Sequence, residues 1–300
     1  MQYSIQKDNL KVTVESYGAE MVSVLYKGKE RLWQNGTGDW AGHSPLLFPV
    51  CGHFGVTHNG KSYPIKAHGF AKCTEFTLTN KTENSVTLSM KASVETKKVY
   101  PFDFVFSVTY TVNGDEVTAL YTVENPANEP LYFACGGHDS FALDSDVDGY
   151  ALAFDKEEDL VHYYHDDGGY LSGETHDFGK VKVFPLPKAF LQKGNTLIFK
   201  DLQSSKVTLQ TLQGEKLATL AFDTCKNLLL WRAKNSPFIC IEPWTNLPDL
   251  AGVEDIEFSK KEGVLTVEPK SQTTVRVQFN THKNRNTLCK GCFVCSYIKA

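Results

Sequence analysis

At 300 residues, 41% of them hydrophobic, the chain is long enough to bury a sizeable core. A formal charge of −4 excludes bulk electrostatic capture of nucleic acid or an anionic membrane, and four arginines (Arg31, Arg232, Arg276, Arg285) among 31 basic residues exclude a site built on several bidentate phosphate forks. No apolar run approaches the roughly 20 residues that span a bilayer, and the first residues carry no basic-then-apolar leader, so the cytoplasm is the expected compartment.

Period-two alternation, the mark of half-buried strands, dominates the chain. It predicts strands over 10–14 and 20–26 around a turn at Tyr17-Gly18-Ala19, then a hairpin within 56–64. The runs 104–112 and 117–123 flank Asn113-Gly114-Asp115, and Asn-Gly between alternating runs is a strong hairpin signal. Further strands are expected over 207–212, 228–232, 238–241, 264–267 and 274–279. The stretch 144–179, rich in Asp, His, Tyr and Gly, reads as long loops of the kind that shape a cleft, with 155–161 a solvated acidic loop. No amphipathic helix of three turns is evident. Short strands separated by turn residues, prolines mainly at strand edges, and the lack of a linker tract predict one all-β domain over 1–279.

Beyond it, 280–300 is expected to be a disordered extension. It holds Cys289, Cys292 and Cys295, with His282 as a conceivable fourth zinc ligand, but no second paired motif supports zinc capture. Cys51, Cys73, Cys135, Cys225 and Cys240 stand singly in apolar neighbourhoods and read as reduced thiols rather than a disulfide frame.

Four stretches carry chemistry. In Tyr132-Phe133-Ala134-Cys135-Gly136-Gly137-His138 an apolar run and two glycines deliver a histidine, the side chain whose ordinary proton affinity lies nearest neutrality. His68 stands against Gly69, and His53 follows the proline-pinned segment that ends at Gly52. Glu242 closes the apolar run Phe238-Ile239-Cys240-Ile241, where a carboxylate is costly unless paired, solvated or functional. Trp244 beside it offers a flat apolar face for a sugar ring. Three glycine-flanked histidines and one strand-end carboxylate suggest a cleft with acid–base capacity.

These stretches also resemble a known family. Leu47-Phe48-Pro49-x-x-Gly52, His68-Gly69-Phe70-Ala71, Gly136-Gly137-His138-x-x-Phe141 and Cys240-Ile241-Glu242-Pro243-Trp244 followed by Pro248-Asp249 are similar, in order and spacing, to the motifs of the aldose 1-epimerase (galactose mutarotase-like) family. The similarity is strongest to its bacterial LacX-like branch and runs over 17–279. It implies a β-supersandwich fold and interconversion of the α and β anomers of a free aldohexose by ring opening and closure, with no metal or organic cofactor. It implies His138 as general acid, Glu242 as general base and His68 as a sugar ligand that stabilises charge near the ring oxygen.

Two positions depart from that pattern. His53 stands where the branch usually has a sugar-binding arginine, and Arg232, on the strand preceding Glu242, is the candidate to compensate; Asp139-Ser140 replaces the usual Pro-Ala. The expected partner is a small sugar, met by a monomer or homodimer. Two other readings use the same residues: a non-catalytic carbohydrate-binding protein of the same fold, and an epimerase of a modified or phosphorylated hexose. A metal enzyme built on His162 and His165 is disfavoured, because no helix aligns that pair.

Overall fold

The computed structural model describes residues 1–253 and 256–282; Asn280 and Thr281, expected in a disordered extension, instead complete the strand Gln272–Thr281, and the expectations placed on 283–300, the cysteine-rich segment among them, lie outside the described residues. Alternation in the sequence becomes layering in space. In Val105–Asn113 and Glu116–Glu124 every second side chain is buried. The two strands pair from Val105 opposite Glu124 to Asn113 opposite Glu116, across a turn in which Gly114 takes φ +66°. Each fully buried Val, Leu or Phe on such a face contributes about 1.5–3 kcal/mol. A one-residue slip would turn the whole set to solvent, so burial fixes the register.

Two sheets share this burial. Gln2–Lys7, Leu10–Glu15, Met21–Tyr26 and Lys29–Glu30 form a four-stranded sheet, and a second sheet of 15 strands holds most of the remainder. Ile5, Leu10, Val12 and Val14 of the first enter the same apolar cluster as Val86, Leu88, Phe106 and Val108 of the second. The all-β sandwich expectation holds. No helix among the described residues is long and apolar enough to cross a membrane.

One stretch differs from its sequence reading. Residues 144–179 are not long loops: Tyr150–His165 pairs with Leu171–Pro185 in an extended antiparallel hairpin that contains the acidic run. Three register shifts interrupt the pairing and hide the alternation. Two of the acids are received by backbone N–H groups, and Glu157 and Asp159 face Lys180 on the paired strand. Glu158, buried, accepts from the N–H of Gln203 and Ser204, and Asp155 from those of Ser205 and Lys206.

The candidate site lies at one end of the large sheet, where the strand order is Leu46–Leu47, Gly136–Gly137, Phe238–Trp244, Asn227–Trp231 and Leu197–Phe199.

Candidate active site

The floor follows from strand parity. Glu242 and Trp244 are two residues apart on one strand and leave the same face, on which Leu229 lies directly opposite Glu242. On the other side Gly136 faces Trp244 and Asp139 faces Ile241, so the intervening His138 lies across from Glu242. Gly136 is required at this point: a Cβ there would lie 2.6 Å from the Trp244 ring and 2.7 Å from the Pro243 carbonyl oxygen. The indole N–H of Trp244 donates to the Gly137 carbonyl at 3.2 Å, which leaves its ring as a wall.

His138 Nε2 is 3.4 Å from Glu242 Oε2. The imidazole stacks on Trp40 at 5.3 Å between ring centroids and meets Trp231 edge-on at 5.8 Å. These rings strip water from it, and burial, with the Lys72 ammonium adding to it, pulls its pKa down to about 4. Glu242 is 1% exposed, and burial, reinforced by the Asp139 carboxylate, pushes its pKa well above the ordinary 4.5. Both groups therefore favour their neutral forms. A neutral carboxyl beside a neutral imidazole carries the same single proton as a carboxylate beside an imidazolium, so the pair is one proton shared by two sites.

His68 is set by its backbone. Its own N–H donates to the Gly52 carbonyl at 2.9 Å, and the Gly52 N–H donates back to His68 Nδ1 at 3.1 Å. A backbone N–H only donates, so Nδ1 is the acceptor and the proton resides on Nε2. Burial, first, and the nearby His138, Lys72 and His53 hold its pKa well below 6.5, consistent with that tautomer. His68 is thus a neutral hydrogen-bond donor. It sits at φ 65°, and the following Gly69 has φ +67°; a Cβ on Gly69 would lie 2.1 Å from the Phe48 carbonyl oxygen. The backbone of the neighbouring turn is clamped by Asn246, whose side chain accepts from Cys51 N–H at 3.1 Å and donates to Cys51 C=O at 2.9 Å.

Together these residues line a cleft of about 470 Å³, within the range of small-ligand pockets. The structure brings His138, Glu242, His68, His53 and Trp244 to it. His53 reaches it with its ring 5.1 Å from that of Tyr170. Arg232 does not reach it, and its expected role in sugar binding is corrected. Trp231 lines the cleft, whereas Arg232, next in the chain, is fully buried and donates to Asp146 at 2.6 Å and to the Ser236 carbonyl at 3.5 Å. Asp139 also points away, accepting from Ser44 Oγ, with its pKa raised to about 6 by burial; it acts on Glu242 through its field.

Sequence reasoning missed Trp40, Trp231, Lys72 and Asn246, and weighed His165 only as half of a metal pair with His162. Trp231 was within reach of it, being two residues from Leu229 on a recognised strand. Trp40 lies in a segment without periodicity and gave no signal. His165 lines the cleft and accepts from Thr196 N–H, while His162 is buried with Nδ1 accepting from Ile198 N–H at 3.1 Å, so that pair does not act together. Among the described residues, the group of donors able to hold a metal is His138, Cys240 and Glu242.

Comparison with known proteins bears on the family and the fold. The sequence profile for aldose 1-epimerase matches residues 1–263. The chain is 29% identical over 298 residues to the chromosomal protein LacX of Lactococcus lactis subsp. lactis, covering 89% of this chain and 99% of the relative. A galactose mutarotase related enzyme from Lactobacillus acidophilus superposes with a TM-score of 0.85 at 27% identity, over 95% of this chain and 99% of that one. A galactose mutarotase-like protein from Lactobacillus casei ATCC 334 gives 0.86 at 26%, over 94% and 100%. With the fold matched over 95% of the chain and the profile spanning residues 1–263, this chain belongs to the aldose 1-epimerase family.

Proposed function

We propose that this protein is a cofactor-independent aldose 1-epimerase that interconverts the α and β anomers of a free aldohexose. The observation that carries the reading is the His138–Glu242 pair, 3.4 Å apart on the floor of a cleft walled by tryptophans. Anomerisation works on two oxygens attached to one carbon: the C1 hydroxyl must lose a proton while the ring oxygen gains one. An acid and a base therefore need to stand side by side. Glycosidases, whose carboxyl pairs flank a scissile bond, hold them about 5 Å or more apart.

In the cycle, Glu242 takes the anomeric proton as His138 protonates the ring oxygen, and the C1–O5 bond breaks. The aldehyde turns about C1–C2 and closes on its other face, with acid and base exchanging roles. The pair ends with the single proton it began with; from the neutral pair that proton first passes from Glu242 to His138 Nε2, which restores the carboxylate and imidazolium the step uses. His68 donates from Nε2 to a sugar oxygen, Trp244 packs against the ring, and His53 contributes from the rim. Positioned acid–base catalysis supplies about 10²–10⁴-fold per group.

One observation favours a second substrate. Lys72 lines the cleft, its pKa lowered by burial with no carboxylate offsetting it among the described residues, which suits an aldose bearing an acidic substituent such as a phosphate. Optical rotation of freshly dissolved α-galactose, α-glucose and α-glucose 6-phosphate tests both. Acceleration is expected; none with any sugar at saturating concentration would leave a binding protein and sink the enzyme reading.

A further inference from the structure

The acid–base pair has a neighbour that the sugar chemistry does not use. Cys240 precedes Glu242 by two residues, so both side chains leave the same face of one strand, and His138 faces them from the next. One donor atom from each of His138, Cys240 and Glu242 lies within 4.8 Å of the others. We infer that these three side chains form a binding site for a thiophilic divalent cation, zinc foremost, and that the cation excludes turnover by occupying the acid and the base. The inference rests on the proposed acid–base reading, because the same histidine and glutamate serve both.

The donor set selects the ion. One nitrogen, one sulfur and one carboxylate oxygen suit zinc, whereas magnesium and calcium call for six or more oxygens, of which this cleft offers few. Geometry agrees. Two ligands on a tetrahedral zinc stand about 3.4 Å apart, the separation that His138 Nε2 and Glu242 Oε2 already have. The sulfur edges, at most 4.8 Å, need to close by no more than about 1.2 Å, within reach of side-chain torsions.

The site also has an unmet demand. Glu242 Oε1, the second oxygen of the ligating carboxylate, is buried and without a hydrogen-bond partner, and a cation held by both oxygens of that carboxylate satisfies it. The fourth position faces the cleft. His68 does not fill it: its Nδ1 receives the Gly52 N–H, which keeps the proton on Nε2. Three protein ligands and one open place is the arrangement of an exchangeable zinc rather than a closed structural one. On binding, the thiol S–H bond breaks and the proton shared by His138 and Glu242 is displaced as well; both protons pass to solvent as the sulfur–, nitrogen– and oxygen–metal bonds form. The imidazole and carboxylate lone pairs that move protons are then held by the metal.

The test uses chelator-treated full-length protein. Anomerisation is followed against buffered free Zn²⁺, with Mg²⁺ as control, and Co²⁺ is titrated separately to read thiolate-to-cobalt absorption. Zn²⁺ is expected to abolish turnover as one equivalent binds at this site, and Mg²⁺ to leave it unchanged. Cys240→Ala is expected to turn over normally in chelator, to lose part of the cobalt–thiolate band, and to need more zinc by at least the roughly 10–100-fold that loss of an outer-shell partner costs. Cys240→Ser replaces it if the alanine variant does not fold. An unchanged band in the variant, or inhibition at the same free zinc as wild type, would overturn the inference, whatever the other cysteines bind. If chelator-treated wild type shows no anomerisation, the epimerase reading fails and the cobalt band alone decides the metal site.

Discussion

Two buried histidines of this chain respond to burial in the same way and are built for different ends. His138 and His162 both have their pKa drawn down to about 4, in each case chiefly because the surrounding side chains exclude water. His162 accepts the Ile198 N–H and packs edge-on against Tyr164 and Phe190, away from the cleft lining. His138 faces an equally buried carboxylate across 3.4 Å, with a cavity above both. Burial thus perturbs a histidine without giving it work. A partner of complementary proton demand, and room for a substrate beside the pair, separate the two.

Mutations sharpen this contrast, and the largest effect is expected on turnover. His138→Ala and Glu242→Gln should each slow anomerisation by about 10²–10⁴-fold, whereas His162→Phe should leave it unchanged. Polarimetry on proteins with matched circular dichroism checks all three.

Next in size is the arginine that the cleft excludes. Arg232 is fully buried with Asp146 as its carboxylate partner, and its Nε and Nη2 have none. Asp146→Ala should lower unfolding free energy by about 3–5 kcal/mol while sparing the chemistry of the pair. Denaturant unfolding measures it, and an unchanged midpoint would remove Arg232 from the structural account. His162→Phe should cost less, about 1–3 kcal/mol, by stranding the Ile198 N–H.

The smallest effect lies in the pH dependence of stability, where the two histidines again part. Between 4.5 and 6.5 the unfolded chain holds one proton over His138 and Glu242, on the histidine, and the native pair also holds one, so the pair contributes no slope. Above 6.5 the unfolded chain loses that proton while the native pair retains it, and stability falls as pH rises. Glu242→Gln should remove this fall. His162 has no such partner: the native state binds fewer protons than the unfolded one below 6.5, so stability is lost as pH drops from 6.5 toward 4, and His162→Phe should flatten that limb. Thermal melts across pH 4–9 distinguish the two limbs.

Much of this arrangement is legible in the residues themselves. The hairpin around Gly114 announces itself because both its strands bury one face only, which writes strict alternation into the sequence. The hairpin Tyr150–His165 with Leu171–Pro185 does not, because bulges shift the alternation and two of its acids are held by backbone N–H groups from elsewhere in the chain. The placing of His138 beside Glu242 was legible through their motifs, since Gly136 and the Glu242 strand impose local constraints that sequence records. Two lining residues were not: Trp40 comes from an irregular segment and Lys72 from the 3₁₀ turn Ala71–Cys73, both brought in by tertiary packing. Arg232 was misassigned because strand membership was read without parity, which turns it away from the face that carries Trp231.

The central claim is that one proton, shared by His138 and Glu242, does the chemistry. The pH dependence of kcat/KM for chelator-treated wild type tests it most directly, because that ratio reports the free enzyme's groups. A profile that stays level through the range where an exposed histidine titrates and falls only as pH drops through about 4, where His138 takes up a second proton, is the expected result. An acid limb centred at 6.5, the ordinary value for histidine, would contradict it.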